Sequence, residues 1–440
     1  MATPVTITDI RNWMNDTFVS KVEDQLNREI LAVELFKQHN TGFTDGQAIV
    51  PINYARNTSA GYRGENQTIP DAGEIGRARM SVDAKYLYSR MELTGPAIES
   101  GRNNPQGLKA TLQEEIDGCL ESLSNRANQY FFSGGGCIGF VMRKNANLNA
   151  AAADFFGNAE HLPAFGGAAI ACRLVRMDTY ALITNGATTV KLTANASSAT
   201  SSAEVILGAG NSAAPVIPND VPIAVIIDQA ASYADVSAGG TETVAEQPSG
   251  ILTNLCKESL FGLDRTNPGG AVPDYSALRS SFHSGCAAAG TGVDFESGHL
   301  QKLLTKIQRQ SNKRPEMFFV EHGFMDAYVK TLTQVTGSNF RITSNESGKG
   351  ADAGFNTQQM SYGGIPFRAS RHAPKGCVIA LAPSTWAHVT LKDPGMADLD
   401  GSVLSRSTSS KDVYEAFARY YHNLVAKRPN ANGVLVGVAN

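Results

Sequence analysis

Residues able to do chemistry are scattered through the 440-residue chain without forming a catalytic pattern. Ser347-Gly348-Lys349-Gly350 has the glycine-lysine step of a phosphate loop. However, Thr343 stands where the first glycine belongs, and Gly350 replaces the hydroxyl that would reach magnesium. Gly134-Gly135-Gly136-Cys137-Ile138-Gly139 follows a helical stretch, whereas a dinucleotide fingerprint follows a strand and opens a helix, so these glycines read as helix termination. The eight histidines include no His-Glu-x-x-His pair for zinc, and no Gly-x-Ser-x-Gly elbow exposes a nucleophilic serine. Arg371-His372 is a lone basic step, read as a strand-edge pair or an inter-subunit contact, since no nucleophile or orienting acid accompanies it. Asp393, Asp398 and Asp400 lack the spacing and distal Glu of a calcium loop. Six widely spaced cysteines with no Cys-x-x-Cys pair fit reduced, buried thiols. The reading is therefore no catalytic residue, no cofactor, no metal and no enzyme.

The element that organises the chain is a helix over 104–133, PQGLKATLQEEIDGCLESLSNRANQYFFS after Asn104. Asn104 can cap it and Pro105 suits the first helical position, where no amide needs a partner. Leu108, Leu112, Ile116, Cys119, Leu120, Leu123 and Ala127 recur every three or four residues and line one face. Glu114, Glu115, Asp117, Glu121 and Asn125 lie opposite, and Gly134 to Gly136 stop the helix. At about 1.5 Å per residue it is roughly 40 Å long, a backbone for other elements, with Leu112, Ile116, Leu120 and Leu123 as its packing face.

Before it, residues 7–39 keep helical spacing through Trp13, Phe18, Leu26 and Phe36. Residues 48–90 read as a long hairpin. Ile49, Val50, Ile52 and Tyr54 lead out, Met80, Val82, Tyr86 and Tyr88 lead back, and Gly61, Gly64, Pro70, Asp71 and Gly73 form the tip. So few apolar residues give the hairpin no core of its own, which predicts that another copy or another element supports it. After the helix, the AAAADFF run suggests a short helix, and residues 173–246 hold about five short strands. Helix (297–313), strand (317–320), helix (322–332) and two strands in GGIPFRAS and GCVIALAP then give a mixed α/β unit. Residues 413–425 alternate strictly and 433–438 form a last strand.

With 42% hydrophobic and 18% charged residues, the composition is that of an ordinary globular chain large enough for several domains. A net charge of −3 gives no basic surface, so tight sequence-independent nucleic-acid binding lacks its electrostatic source. Neither a signal peptide nor a membrane span is expected, so synthesis in a cytoplasm follows.

In this order the arm, the glycine-tipped hairpin, the strand MELTGPAI, the long helix, the α/β unit and ARYYHNLVAKRP resemble a tailed-bacteriophage major capsid protein. The resemblance implies an α+β fold of the Hong Kong 97-like type: an N-terminal arm (1–45), an extended loop (46–90) and a peripheral domain (91–172 and 401–440) carrying the spine helix. It also implies an inserted β-rich subdomain (173–250) and an axial domain (251–400). The implied function is a virion shell built from pentamers and hexamers around double-stranded DNA without sequence-specific binding. A separate scaffolding protein, or none, and portal and decoration proteins are the implied partners, with no membrane. Inter-subunit contact is expected at Tyr62, Arg63, Gly64, Glu65, Pro70, Asp71, Glu114, Glu121 and Arg371. The hairpin has no lysine between Gly46 and Ala84, which argues against a loop-tip lysine crosslink. An encapsulin-type shell and a cytosolic α/β enzyme are the alternatives.

Overall fold

The structure, a computed structural model, describes residues 35–36, 46–101, 105–143, 153–157, 170–183, 190–194, 205–207, 221–228, 232–234, 241–266, 274–285, 297–336, 360–397, 404–406 and 412–438. The arm expected over 1–45 lies outside them except for Leu35 and Phe36. Strands β1 (Gln47–Asn53) and β2 (Arg77–Asp83) form the hairpin stem, and β3 (Lys85–Thr94) leads through α1 (Gly95–Gly101) into the long helix α2 (Pro105–Ser133). Seven strands follow: β4 (Cys137–Arg143), β5 (Ala153–Gly157), β6 (Ile170–Arg176), β7 (Leu182–Ile183), β8 (Val190–Ala194), β9 (Val205–Leu207) and β10 (Ile223–Ile227). A ribbon of β11 (Ser232–Ala234) and β12 (Thr241–Thr243), helix α3 (Ile251–Cys256) and a tight pair, β13 (Ser259–Leu260) and β14 (Leu263–Asp264), come next. The α/β unit holds β15 (Ser281–Ser284), α4 (Ser297–Ser311), β16 (Met317–Val320), α5 (His322–Thr336), β17 (Ser361–Tyr362), β18 (Ile365–Ala369) and β19 (Cys377–Leu381). The chain ends in β20 (Trp386–Met396), β21 (Ser405–Arg406), β22 (Val413–Ala426) and β23 (Gly433–Val436).

Strands buried on both faces read as continuous apolar runs, and the mixed six-stranded sheet β15-β23-β19-β16-β18-β17 shows why. Along β19, Cys377, Ile379 and Leu381 enter the core shared with the end of α2 and the seven-stranded sheet. Val378 and Ala380 point the other way, under Leu300, Leu303, Leu304 and Ile307 of α4 and Phe324 and Tyr328 of α5. One layer of helices and one layer of sheet thus sandwich this strand.

The long helix leaves through Gly135 (φ 77°) and Gly136 (φ 96°), left-handed conformations that glycine adopts without a Cβ penalty. The junction is clamped: Gly250 N donates to Gly134 O at 2.9 Å, Thr253 Oγ1 donates to the same carbonyl, and Cys137 N donates to Thr253 Oγ1 at 3.2 Å.

Several expectations change. The returning limb of the hairpin stops at Asp83; past Ala84 the chain enters β3, which pairs antiparallel with β22 from Lys85↔His422 to Thr94↔Val413, so Tyr86 and Tyr88 belong to a different sheet. The stem does have a core within its own chain: Ala48, Val50, Ile52, Met80 and Val82 pack on Leu260, Leu263, Leu278, Ala387, Val389 and Val425. AAAADFF supplies a strand and not a helix, because β5 pairs with β4 from Gly139↔Gly157 to Arg143↔Ala153. The β-rich region begins before residue 173, since β4 and β5 are strands of its sheet, and it shares the central core through Phe140, Val175 and Ala224. The last strand, β23, lies between β15 and β19 of the α/β sheet, whereas β20 leaves that unit to pair with β22.

Candidate assembly surfaces

From the stem upward, among the described residues the hairpin tip is braced only by itself. Tyr54 N donates to Gly76 O at 3.0 Å and Gly76 N to Ala55 O at 3.2 Å, closing the neck, where the Tyr54 ring meets Tyr275 with centroids 4.8 Å apart. Beyond it, Arg63 Nε donates to Thr68 O at 3.1 Å, Gly64 N to Gln67 Oε1 at 3.1 Å and Gln67 N to Gly64 O at 3.2 Å. These local bonds give Tyr62, Arg63, Gly64 and Glu65 a defined shape while leaving them exposed, as Asp71 is; Pro70 is half-buried. Tyr62 and Ile69 are 104% and 82% exposed, an apolar presentation to water that a single chain does not explain.

A second exposed apolar face lies on the four-stranded sheet of β20, β21, β22 and β3. Tyr86 and Tyr88 project from β3 and meet Tyr421 edge-to-face, with centroids 4.9 and 5.7 Å away. The Tyr88 hydroxyl bonds that of Tyr421 at 3.1 Å, and this bond raises the Tyr88 pKa to about 12. Leu391 is exposed on β20. The sequence reading placed the two tyrosines in the hairpin; their regular two-residue spacing, running on through Arg90 and Glu92, was the available signal that they share the face of a longer strand.

On α2, Glu114 is exposed, Ile116, Leu120 and Glu121 are half-buried and Leu123 is buried; the side chain of Leu112 lies outside the described residues. Leu123, Cys119 and Ala127 pack on Ala418 and Tyr420 of β22, with Leu87 and Leu120 at the margin. Arg371 is exposed in the turn after β18, distant in sequence and element from the tip and from α2. The structure therefore gathers the tip residues in one loop and the helix residues along one element, without bringing the two sets to a single site.

The titratable groups that sequence reasoning missed are buried and structural. His388 on β20 meets the Tyr420 hydroxyl at 2.9 Å, and burial pushes its pKa down to about 4; burial and the neighbouring His388 also hold the pKa of the enclosed His422 well below the usual imidazole range. Arg265 is buried with its guanidinium 4.7 Å from the Tyr180 ring centre and donates to the carbonyls of Asn254, Leu278 and Lys257. Desolvation lowers its pKa and nearby Tyr180 opposes that shift. Five cysteines are buried free thiols, and Cys286 lies outside the described residues. Among the described residues no cluster of three or more His, Cys, Asp or Glu could hold a metal, and no helix is long and apolar enough to cross a membrane.

No family model and no curated protein matches the sequence. Among solved structures, the chain resembles one from the cyanophage A-1(L) capsid asymmetric unit, with a TM-score of 0.53, 10% identity and 97% of both chains covered. The capsid of a native GTA particle gives a TM-score of 0.47 at 8% identity, over 96% of this chain and 95% of that one. The holo-SrpI encapsulin complex from Synechococcus elongatus PCC 7942 gives 0.44 at 11% identity, over 98% and 95%. The cyanophage likeness shows that this chain has the fold of a phage capsid protein.

Proposed function

We propose that the chain is a major capsid protein of the Hong Kong 97-like type, building pentamers, hexamers and an icosahedral shell around duplex DNA, and that it catalyses no reaction. The observation that carries this reading is the likeness to a phage capsid chain across 97% of both sequences. The uncovered hairpin tip supports it. In a heterologous contact both halves of the interface lie on the same chain. Tyr62 and Ile69 are one apolar half, and the Tyr86, Tyr88 and Leu391 face of a second copy is its complement. Arg63, Gly64, Glu65, Pro70 and Asp71 surround that contact, while Glu114, Glu121 and Arg371 serve as polar contacts at other subunit boundaries. A separate scaffolding protein, or none, and a portal and decoration proteins are the further partners.

Negative-stain microscopy and sedimentation of the purified protein test the reading. Rings or closed shells are expected; a compact monomer across a wide concentration range overturns it. The contents of the shells divide the alternatives, since an encapsulin-type compartment holds a protein cargo in place of DNA.

A further inference from the structure

We propose that the outward face of α4 is a contact surface for the phosphate backbone of duplex DNA. The net charge of −3 conceals an uneven distribution: from 297 to 315 the chain carries Lys302, Lys306, Arg309, Lys313 and Arg314 and no Asp or Glu. Leu300, Leu303, Leu304 and Ile307 are buried on the sheet and fix which side of α4 faces inward. Lys302 and Arg309, seven residues apart, therefore fall on the opposite side, about 10 Å apart along the axis, while Lys306 sits on the flank and reaches back to the sheet. Arg428 extends the patch at the helix end by donating to Ser311 O.

The charges are unequally free. Lys306 Nζ donates to Phe282 O at 2.8 Å, Lys313 lies 3.6 Å from Glu316, and Arg314 bonds Gly363 O. Lys302 and Arg309 form no ion pair among the described residues. The exposed uncharged side chains between and beside them are Gln301, Thr305, Gln308 and Gln310. A protein interface needs an apolar or aromatic anchor, and a membrane-surface helix needs a free apolar face. This face has neither, because the apolar side of α4 is already covered by the sheet. What remains is attraction by charge, suited to a polymer read through its phosphates and not its bases. The inference shares with the proposed function only the identity of the enclosed polymer.

Anisotropy of a short fluorescein-labelled duplex with the unassembled full chain tests it. Two phosphate contacts predict a salt slope of about −1.8, so affinity falls roughly 12-fold between about 50 and 200 mM salt. Lys302→Glu with Arg309→Glu should weaken binding roughly tenfold or more at low salt and flatten the slope to near zero. Arg56→Glu with Lys392→Glu, the same change in net charge on other exposed positions, should leave both unchanged. Equal weakening by the two pairs, in proteins whose melts match the parent, overturns the proposal. So does poly-glutamate competing as well as DNA, since the partner is then an acidic protein. Shell formation by the Lys302/Arg309 variant is scored separately by microscopy: shells without binding leave the capsid reading standing, and binding by a parent that builds no shells leaves this one standing.

Discussion

The phenyl ring of Phe131 lies almost parallel to the imidazole of His422, with centroids 5.5 Å apart and planes 7° apart. Phe36 also stacks on Phe131, at 5.8 Å and 10°, and Tyr420 stacks on His422 at 4.1 Å and 19°. One column of rings therefore ties the segment before the hairpin, the end of the long helix and the central strand β22. Among the described residues neither nitrogen of His422 has a hydrogen-bond partner, nor has Nδ1 of His388 beside it. A neutral imidazole tolerates that enclosure; an imidazolium does not.

Stability should consequently fall with acid in a particular window. His388 is held at about 4 and His422 is also depressed, so the folded chain keeps both neutral while the unfolded chain takes up protons below about 6.5. The unfolded state binds more protons, so stability rises with pH across this range and is lost as pH falls from about 6.5 toward 4, by up to about 1.4 kcal/mol per pH unit for each histidine. His422→Phe preserves the stack and removes one titrating group. Denaturant unfolding at pH 7.5 and 5 should show a shallower loss than the parent; an unchanged difference means His422 does not supply it.

Tip and stem should separate assembly from folding. Tyr62→Ser with Ile69→Ser alters only exposed positions, so the unfolding free energy of the unassembled chain should move by no more than about 0.5 kcal/mol per site. Shells should fail to form. Val50→Ala in the stem, by contrast, opens a cavity against Val389 and Val425 and should destabilise the chain itself. Normal shells from the tip variant would remove the tip from the assembly surface.

Local pattern carried the elements whose meaning is local. Residues 317–320 read as a strand from their apolar run, and the alternation through Ala416, Ala418 and Tyr420 on β22 was visible because one face is buried. Sheet membership was not visible, since a strand pairs by topology and not by composition. Nothing at Ala84, neither glycine nor proline, marks the passage from β2 to β3, and nothing in GVLV places β23 between β15 and β19. The exposed tip residues could be nominated from turn chemistry, whereas the Tyr86 and Tyr88 face needed the pairing with β22.

The helix-to-strand junction should be intolerant of any side chain. At Gly136, φ is 96°, and an added Cβ would come 2.8 Å from Val244 Cγ1 and 2.9 Å from Ile227 O. Gly136→Ala combines a left-handed backbone penalty with a contact that backbone cannot relieve, and a loss of about 1 to 3 kcal/mol is expected in equilibrium unfolding. A neutral substitution would mean that the end of α2 can shift without cost.

The last expectation concerns the two sides of the long helix. Leu123 is 1% exposed and packs with Ala127 on Ala418 and Tyr420, whereas Glu114, about two and a half turns earlier, is exposed. Removing a buried leucine side chain leaves a cavity that the rigid strand β22 cannot fill, at a cost of about 2 to 5 kcal/mol. That is a large share of a domain stability of roughly 5 to 15 kcal/mol, so Leu123→Ala should fold poorly or melt early. Glu114→Ala removes a solvated charge and should stay within about 0.5 kcal/mol of the parent, acting if at all on assembly. Half-buried Ile116 should fall between the two. Thermal melts of the three unassembled variants give this order directly, and equal losses would mean that the buried face of the helix has been misassigned.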